Sequence, residues 1–291
     1  MSRRSSLADL LERESPLLLP VAHDALSARL IERAGFVAAA IGGFGVIGCR
    51  WGLPDLGLAS FGEVSAAVRD IAGAISLPLI ADADDGYGDV KNVARTVQTY
   101  EAMGVTAIVL EDQASPKKCG HMMVERRIVS VEEAEGKLST ALSVRKSSSF
   151  GIIARTDARG VEGLDVALER GRRYVALGVD ALFVEAPTSV DELTRIGRAF
   201  KVPLIVNAAE LGKTPVLSPA EYRDLGFSVI LYPATLLLRM VGTFQRTLAA
   251  LREGRFADEG PLPAFQELTD IMGMKEWMAI DQQFGQKERL K

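Results

Sequence analysis

Residues 101–112 read EAMGVTAIVLED. A polar, helix-like segment closes at Met103, Gly104 stops it, and the apolar run Ala107–Leu110 ends directly in Glu111 and Asp112. Glycine is a common helix stop because it takes a left-handed conformation without a Cβ penalty. The same arrangement recurs as ERAGF (32–36), VALGVDA (175–181) and YRDLGFS (222–228). The apolar runs are Leu17–Ala22, Val37–Ile41, Leu77–Ala81, Ala107–Leu110, Gly151–Ala154, Ala181–Val184, Leu204–Val206 and Val229–Leu231. Each is too short for a helix, and each is followed after a polar loop by a helix-like pattern. Near-continuous apolar strands belong to a sheet buried on both faces, which is a parallel sheet. Eight such units predict a (β/α)8 TIM barrel in the α/β class rather than a doubly wound sheet.

Barrels of this kind commonly run to ~250 residues as one domain, so 291 residues need not mean two. No low-complexity linker divides the chain. The barrel is expected over 1–253, with 254–291 as a helical extension of the same domain. The stretch GRFADEGPLP (254–263) makes the break. Beyond it, a helix over Ala264–Phe284 carries Phe265, Leu268, Ile271, Met272, Trp277, Met278 and Ile280, which predicts a subunit contact.

Composition excludes several chemistries. The 34 basic and 38 acidic side chains give a net charge of −4, with no basic footprint for nucleic acid. Two cysteines, Cys49 and Cys119, and two histidines, His23 and His121, cannot build a disulfide framework or a Cys/His metal centre. So few cysteines fit a reducing compartment. No stretch approaches the ~20 apolar residues of a membrane span, and the N-terminus lacks a secretory pattern, so a cytoplasmic protein is expected. Any metal falls to carboxylates.

Three motifs mislead. Gly43–Gly48 spells a dinucleotide fingerprint, but Gly52-Leu-Pro54 is expected to prevent a helix starting at these glycines. Gly212-Lys-Thr214 lacks the first glycine of a phosphate loop and runs into Pro215. Asp82-Ala-Asp84 opens like a calcium loop, yet Gly86 and Val93 stand where ligands should be.

Functional residues of a barrel lie at the C-terminal ends of its strands. LPLIADADDGYG (77–88) places Asp82 and Asp84 there, two apart and on one side of an extended chain. AIVLEDQ adds Glu111 and Asp112, and GLPDLG adds Asp55. Single loop carboxylates are usually solvated turn formers. Several at matching strand ends repel unless a cation or protonation relieves them. An all-oxygen donor set favours Mg2+ or Mn2+. Arg155 follows the fifth run, where its planar fork suits a substrate carboxylate, the alternative being an internal ion pair with Asp157 or Glu185. Glu185 and Asn207 follow the sixth and seventh. In SPKKCGH (115–121), Lys117, Lys118 and His121 surround Cys119, a setting that lowers a thiol pKa. Cys49, in an apolar stretch, is expected to fill space.

DADDGYG, LEDQASPKKCGH, ARTDA, VEGLDVALER, FVEAP and NAAELGKTP together resemble the isocitrate lyase / phosphoenolpyruvate mutase superfamily over roughly residues 15–252. The KKCGH loop resembles its carbon–carbon lyase branch, which includes 2-methylisocitrate and dimethylmalate lyases. The resemblance implies an Mg2+-dependent barrel, tetrameric, with a last helix swapped between subunits. It implies Asp82 as direct metal ligand, with Asp84, Glu111 and Asp55 acting mainly through metal-bound water. Arg155 would hold a carboxylate, backbone N–H groups at Gly42, Gly43 and Phe44 the α-keto acid end, and Glu185 and Asn207 further substrate contacts. Cys119 would be the general acid, with Lys117 and His121 helping to close and polarise its loop. The implied reaction is retro-aldol cleavage of a 2-hydroxy di- or tricarboxylate to pyruvate or glyoxylate. Where methylisocitrate lyases have Tyr-Leu-Ser-Gly-Gly, this chain reads Ala40-Ile-Gly-Gly-Phe44. GKTP at 212–215 is more similar to the dimethylmalate lyase and carboxyphosphonoenolpyruvate mutase members. The same metal site leaves open oxaloacetate hydrolysis or decarboxylation, a P–C mutase reaction, or a silent carboxylate-binding barrel.

Overall fold

The computed structural model describes residues 5–117, 126–257 and 260–285. Eight strands form a closed, all-parallel barrel in sequence order: β1 (Leu17–Ala22), β2 (Ala39–Ile41), β3 (Leu79–Asp82), β4 (Ala107–Glu111), β5 (Gly151–Thr156), β6 (Ala181–Val184), β7 (Leu204–Asn207) and β8 (Val229–Tyr232). β8 closes on β1, with Leu17 opposite Val229. This is the expected (β/α)8 TIM barrel.

Side chains alternate across each strand, so one set fills the barrel and the other packs under the helices. Leu19, Val21, Ile80, Val109, Ile153, Phe183 and Ile205 belong to the inner cluster. Ala81, Ile108, Ile152, Leu182 and Val206 belong to the outer one. That alternation positions the site. Asp82 continues the set of Ile80, Glu111 that of Val109, Arg155 that of Ile153, Glu185 that of Phe183 and Asn207 that of Ile205. All five therefore turn toward the barrel axis at its C-terminal mouth. Several strands run one or two residues past their apolar runs because the neighbouring ladder continues: Asp82 sits opposite Val109, Glu111 opposite Arg155 and Asn207 opposite Leu231.

Three local expectations are corrected. A helix does begin at the glycines, over Gly43–Trp51. Gly42 is extended (φ −113°) and serves as N-cap, Val46 and Ile47 anchor the buried face, and Gly52 (φ 65°) ends the helix, so the 52–54 segment terminates it rather than preventing it. The closed barrel, not the absence of that helix, excludes a doubly wound dinucleotide fold. Cys49 does not fill space: with Val46 and Ile47 buried, it falls on the exposed side. The helix expected over 264–284 is two, Phe265–Ile271 and Met274–Phe284, because Gly273 takes φ 87° between them.

The opposite end of the barrel is covered by a helix, Leu7–Arg13, capped by reciprocal Ser6 and Asp9 hydrogen bonds. Its Leu7 and Leu10 belong to the barrel's inner cluster. The chain divides into two compact units, Met1–Leu237 and Leu238–Lys291, the boundary falling within the helix Thr235–Arg252. In the second unit Phe256, Leu262, Phe265, Trp277 and Phe284 are exposed.

Candidate active site

The mouth of the barrel gathers an excess of carboxylates around buried Lys117 and half-buried Arg155. Asp82, the last residue of β3, accepts the Asp84 N–H on Oδ1 at 3.0 Å and the Gly43 N–H on Oδ2 at 3.2 Å. A side chain at Gly43 would crowd the site: a Cβ there would stand 3.3 Å from both Asp82 Oδ2 and Lys117 Nζ, which would have to give way by a few tenths of an ångström. Gly42 is the N-cap and Phe44 the second residue of that helix. The loop after β3 turns sharply, with Asp84 (φ 47°) and Tyr87 (φ 62°) in the left-handed region.

Lys117 enters from the loop after β4 and is 8% exposed. Its Nζ pairs with Asp84 Oδ1 and lies 3.0 Å from Asp55 Oδ1, an ion pair outside hydrogen-bond geometry. Arg155 projects from β5. Its Nε and Nη2 each donate to Asp157 at 3.0 Å, Nη1 lies 3.4 Å from Glu111 Oε2, and Nη2 lies 3.9 Å from Glu185 Oε1. The guanidinium also stands 5.4 Å from the Phe183 ring centre. Glu185 Oε2 accepts the Asn207 amide at 3.0 Å. Arg155 thus makes the internal ion pairs weighed as the alternative to substrate binding, and Nη1 is the nitrogen least engaged. Asp55, Lys117, Asp82 and Asp84 form one side of the site; Glu111, Arg155, Glu185 and Asn207 form the other. Cys119 and His121 lie outside the described residues.

Burial, and then the crowding of charges, sets the titration order. Burial pushes Asp84 up, Lys117 pulls it back and Asp82 and Asp55 push it further, to about 7. Burial likewise raises Asp55 and Glu111. Asp82 goes the other way: burial works against its charge, but Lys117, Arg155 and the two N–H donors lower it overall. Burial opposes the charge of Lys117, yet the surrounding carboxylates, Asp84 first, hold it protonated. Of Asp55, Asp82, Asp84 and Glu111, Asp82 is therefore the one most firmly ionised.

A divalent cation suits this donor set. It is all oxygen, Asp82 is charged, and Glu111 Oε1 is buried with no hydrogen-bond partner. Among the described residues, no three acidic, His or Cys side chains are already drawn together as a coordination sphere; Lys117 stands between Asp55 and Asp84.

Two residues at the mouth escape a reading of inward carboxylates. Asp112 has the opposite parity to Glu111 and faces the helix layer. There it accepts from Thr156 Oγ1 (2.7 Å), Asp157 N (2.8 Å), Tyr174 OH (2.8 Å) and Arg170 Nη1 (3.2 Å), fixing the end of β5. Its signal is the ED doublet itself. His23 follows β1 with inward parity; it is buried, and burial lowers its pKa although Asp24 opposes this. Arg126, the first described residue after 118–125, also pairs with Asp157.

Comparison with known proteins agrees with this geometry. The family model described as phosphoenolpyruvate phosphomutase matches residues 7–252. The 2,3-dimethylmalate lyase of Eubacterium barkeri is 38% identical over 287 residues, covering 98% of this chain and 99% of that protein. Oxaloacetate acetylhydrolase, in a structure with the inhibitor 3,3-difluorooxalacetate, superposes with a TM-score of 0.91 at 31% identity and covers 97% of each chain. Phosphonopyruvate hydrolase complexed with oxalate and Mg2+ superposes at 0.85 with 29% identity, covering 96% of this chain and 98% of that one.

Proposed function

Because the chain belongs to the phosphoenolpyruvate mutase/isocitrate lyase superfamily, we propose that it is a metal-dependent carbon–carbon lyase. Its substrate is a 2-hydroxy di- or tricarboxylate of 2-alkylmalate or 2-methylisocitrate type, cleaved to pyruvate or glyoxylate and a carboxylate. The observation that carries this is the set of three acidic side chains, Asp55, Asp82 and Asp84, that shares one barrel mouth with Arg155 and its neighbour Glu111, in a chain 38% identical to a 2,3-dimethylmalate lyase.

Asp82, Asp84 and Glu111, with Asp55, would hold Mg2+ or Mn2+. Bound there, the cation would supply a Lewis acid for the oxygens of the α-keto acid end. Arg155, fixed by Asp157, offers Nη1 to a carboxylate. At the start of helix Gly43–Trp51, Gly42 and Phe44 would offer backbone N–H groups to the same end, while the Gly43 N–H is held by Asp82, and Glu185 with Asn207 completes the polar wall. In the cleavage, the 2-hydroxyl gives its proton to a base at the mouth, the freed O–H pair forms the C2=O bond of the α-keto acid, and the C2–C3 bonding pair passes to the departing α-carbon. Cys119 then protonates that carbon as general acid. Lys117 and His121 flank Cys119 in sequence and serve its loop.

A panel of 2-hydroxy acids, read by a coupled assay for 2-keto acid release with and without EDTA, tests this reading. Release that stops with EDTA and returns with Mg2+ supports it. The similarity to oxaloacetate acetylhydrolase favours one second reading, hydrolysis of oxaloacetate, which is tested by supplying oxaloacetate and assaying oxalate directly, since neither oxalate nor acetate is a 2-keto acid. A P–C substrate in the panel covers the mutase alternative. No turnover of any substrate alongside oxalate binding would mark a silent barrel.

The partner is a small carboxylate, with neither nucleic acid nor a membrane involved. The net charge of −4 gives no basic footprint for nucleic acid, and among the described residues no helix is long and apolar enough to cross a membrane. We place the protein in the cytoplasm as a homotetramer. The exposed Phe265, Trp277 and Phe284 give residues 254–291 an apolar surface for a helix exchanged with a second copy. Light scattering on the purified chain reads the assembly directly.

A further inference from the structure

Behind the loop that carries Asp82 and Asp84 stands an ion pair that the proposed reaction does not use. Lys137 Nζ, on the helix Val131–Val144, donates to Asp85 Oδ2 at 3.2 Å, with side-chain exposures of 7% and 10%. The other oxygen, Asp85 Oδ1, accepts the Tyr87 N–H at 2.9 Å. One carboxylate thus ties the loop's own turn to a neighbouring helix.

That turn needs holding. Asp84 and Tyr87 are left-handed without being glycine, at φ 47° and 62°, and between them Gly86 is also left-handed at 85°. Such backbone persists only where its surroundings over-determine it. Three further hydrogen bonds seat the loop: Ala83 N to Val109 O at 3.0 Å, Glu111 N to Asp84 O at 2.9 Å, and Thr96 Oγ1 to Gly86 O at 3.3 Å. Lys137 also lines, together with Glu111 and Arg155, a cavity of about 10 Å³, the room of a single water. The lysine therefore stands behind both acidic elements of the site, β3's loop and β4's end.

A buried ion pair is weak evidence for stability, because apolar residues of the same size often serve as well. We propose that Lys137 is a positioning residue: through Asp85 it fixes the loop so that the Asp82 and Asp84 carboxylates are presented together to a divalent cation. This rests on the metal-binding reading of the site.

Mn2+ binding to the purified chain, measured by titration calorimetry and by the EPR signal of free Mn2+, tests it without any substrate. Charge alone predicts that deleting a cation beside the carboxylates tightens Mn2+ binding. Lost positioning predicts the reverse. Lys137→Met is expected to bind Mn2+ at least about 10-fold more weakly than wild type, and Lys137→Arg within about threefold of it. The double variant Asp85→Asn/Lys137→Met leaves no buried charge unpaired, and it is expected to keep a wild-type melting temperature yet bind Mn2+ as weakly as Lys137→Met. Wild-type or tighter Mn2+ affinity in the double variant overturns the inference. So does failure of both variants to fold, which marks the pair as purely structural. Absence of Mn2+ binding by the wild-type chain overturns the metal reading and the inference with it.

Discussion

Arg155 grips Asp157 through two nitrogens, Nε and Nη2, each at 3.0 Å, so the guanidinium plane is set before any ligand arrives. Asp157 is fully buried and takes Arg126 as well, while its own N–H donates to Asp112. Asp157→Asn keeps the shape but weakens the fork. Loss of a charge-assisted pair costs on the order of 1.5–3 kcal/mol. That corresponds to a kcat/KM about 10- to 100-fold lower for the hydroxy-acid substrate. Steady-state kinetics check it, with Arg155→Lys expected to be at least as poor because it cannot present a planar fork.

Cys119→Ser is expected to lower 2-keto acid release by at least about 100-fold, the usual contribution of a positioned general acid. Oxalate binding in the presence of Mg2+ should persist in this variant, as calorimetry would show. Full turnover in Cys119→Ser would remove the thiol from the mechanism.

Asp112 collects four donors, so its loss should be felt in stability as well as in catalysis. Asp112→Ala leaves Arg170, 8% exposed, without its carboxylate. Breaking a buried pair in this way costs about 3–5 kcal/mol. Tyr174→Phe removes one donor of four and is expected to cost only about 1 kcal/mol. Urea denaturation of the two variants gives the comparison.

Helix caps give the fold an acid-sensitive component. Hydrogen bonds from the Ser218 side chain and backbone lower the pKa of Glu221, and those from the Ser60 backbone and side chain lower that of Glu63. A depressed carboxylate contributes stability above its unfolded value, about 4.3, and loses it as pH falls through the lower folded value. The melting temperature of wild type should exceed that of Glu221→Gln at pH 7, and the difference should shrink as the pH is taken below about 4. A gap that widens in acid would contradict this sign.

The barrel and the inward carboxylates were legible in the sequence for one reason: an apolar run that ends in a polar residue carries its own parity. Asp82 and Glu111 inherit the direction of Ile80 and Val109, so their convergence follows once the strands close. What the chain folds against itself was harder to see. Helix Gly43–Trp51 is rich in glycine, and only burial of Val46 and Ile47 makes it pay, which no local propensity reports. Cys49 was misjudged with it, since its direction depends on that helix. Whether Arg155 holds a ligand or its own neighbours turned on Asp157, two residues away, whose distance to the guanidinium depends on how β5 ends. The Leu7–Arg13 helix looks like an ordinary polar terminus until Leu7 and Leu10 meet the barrel floor.

That floor has a consequence for traffic. With Leu7 and Leu10 stoppering one end, and Leu17 and Leu19 packed above them without exposure, the barrel is a well rather than a tube. Among the described residues that floor leaves the C-terminal mouth as the way in and out, so in the proposed cleavage one product cannot leave by a back door while the other still stands in the mouth.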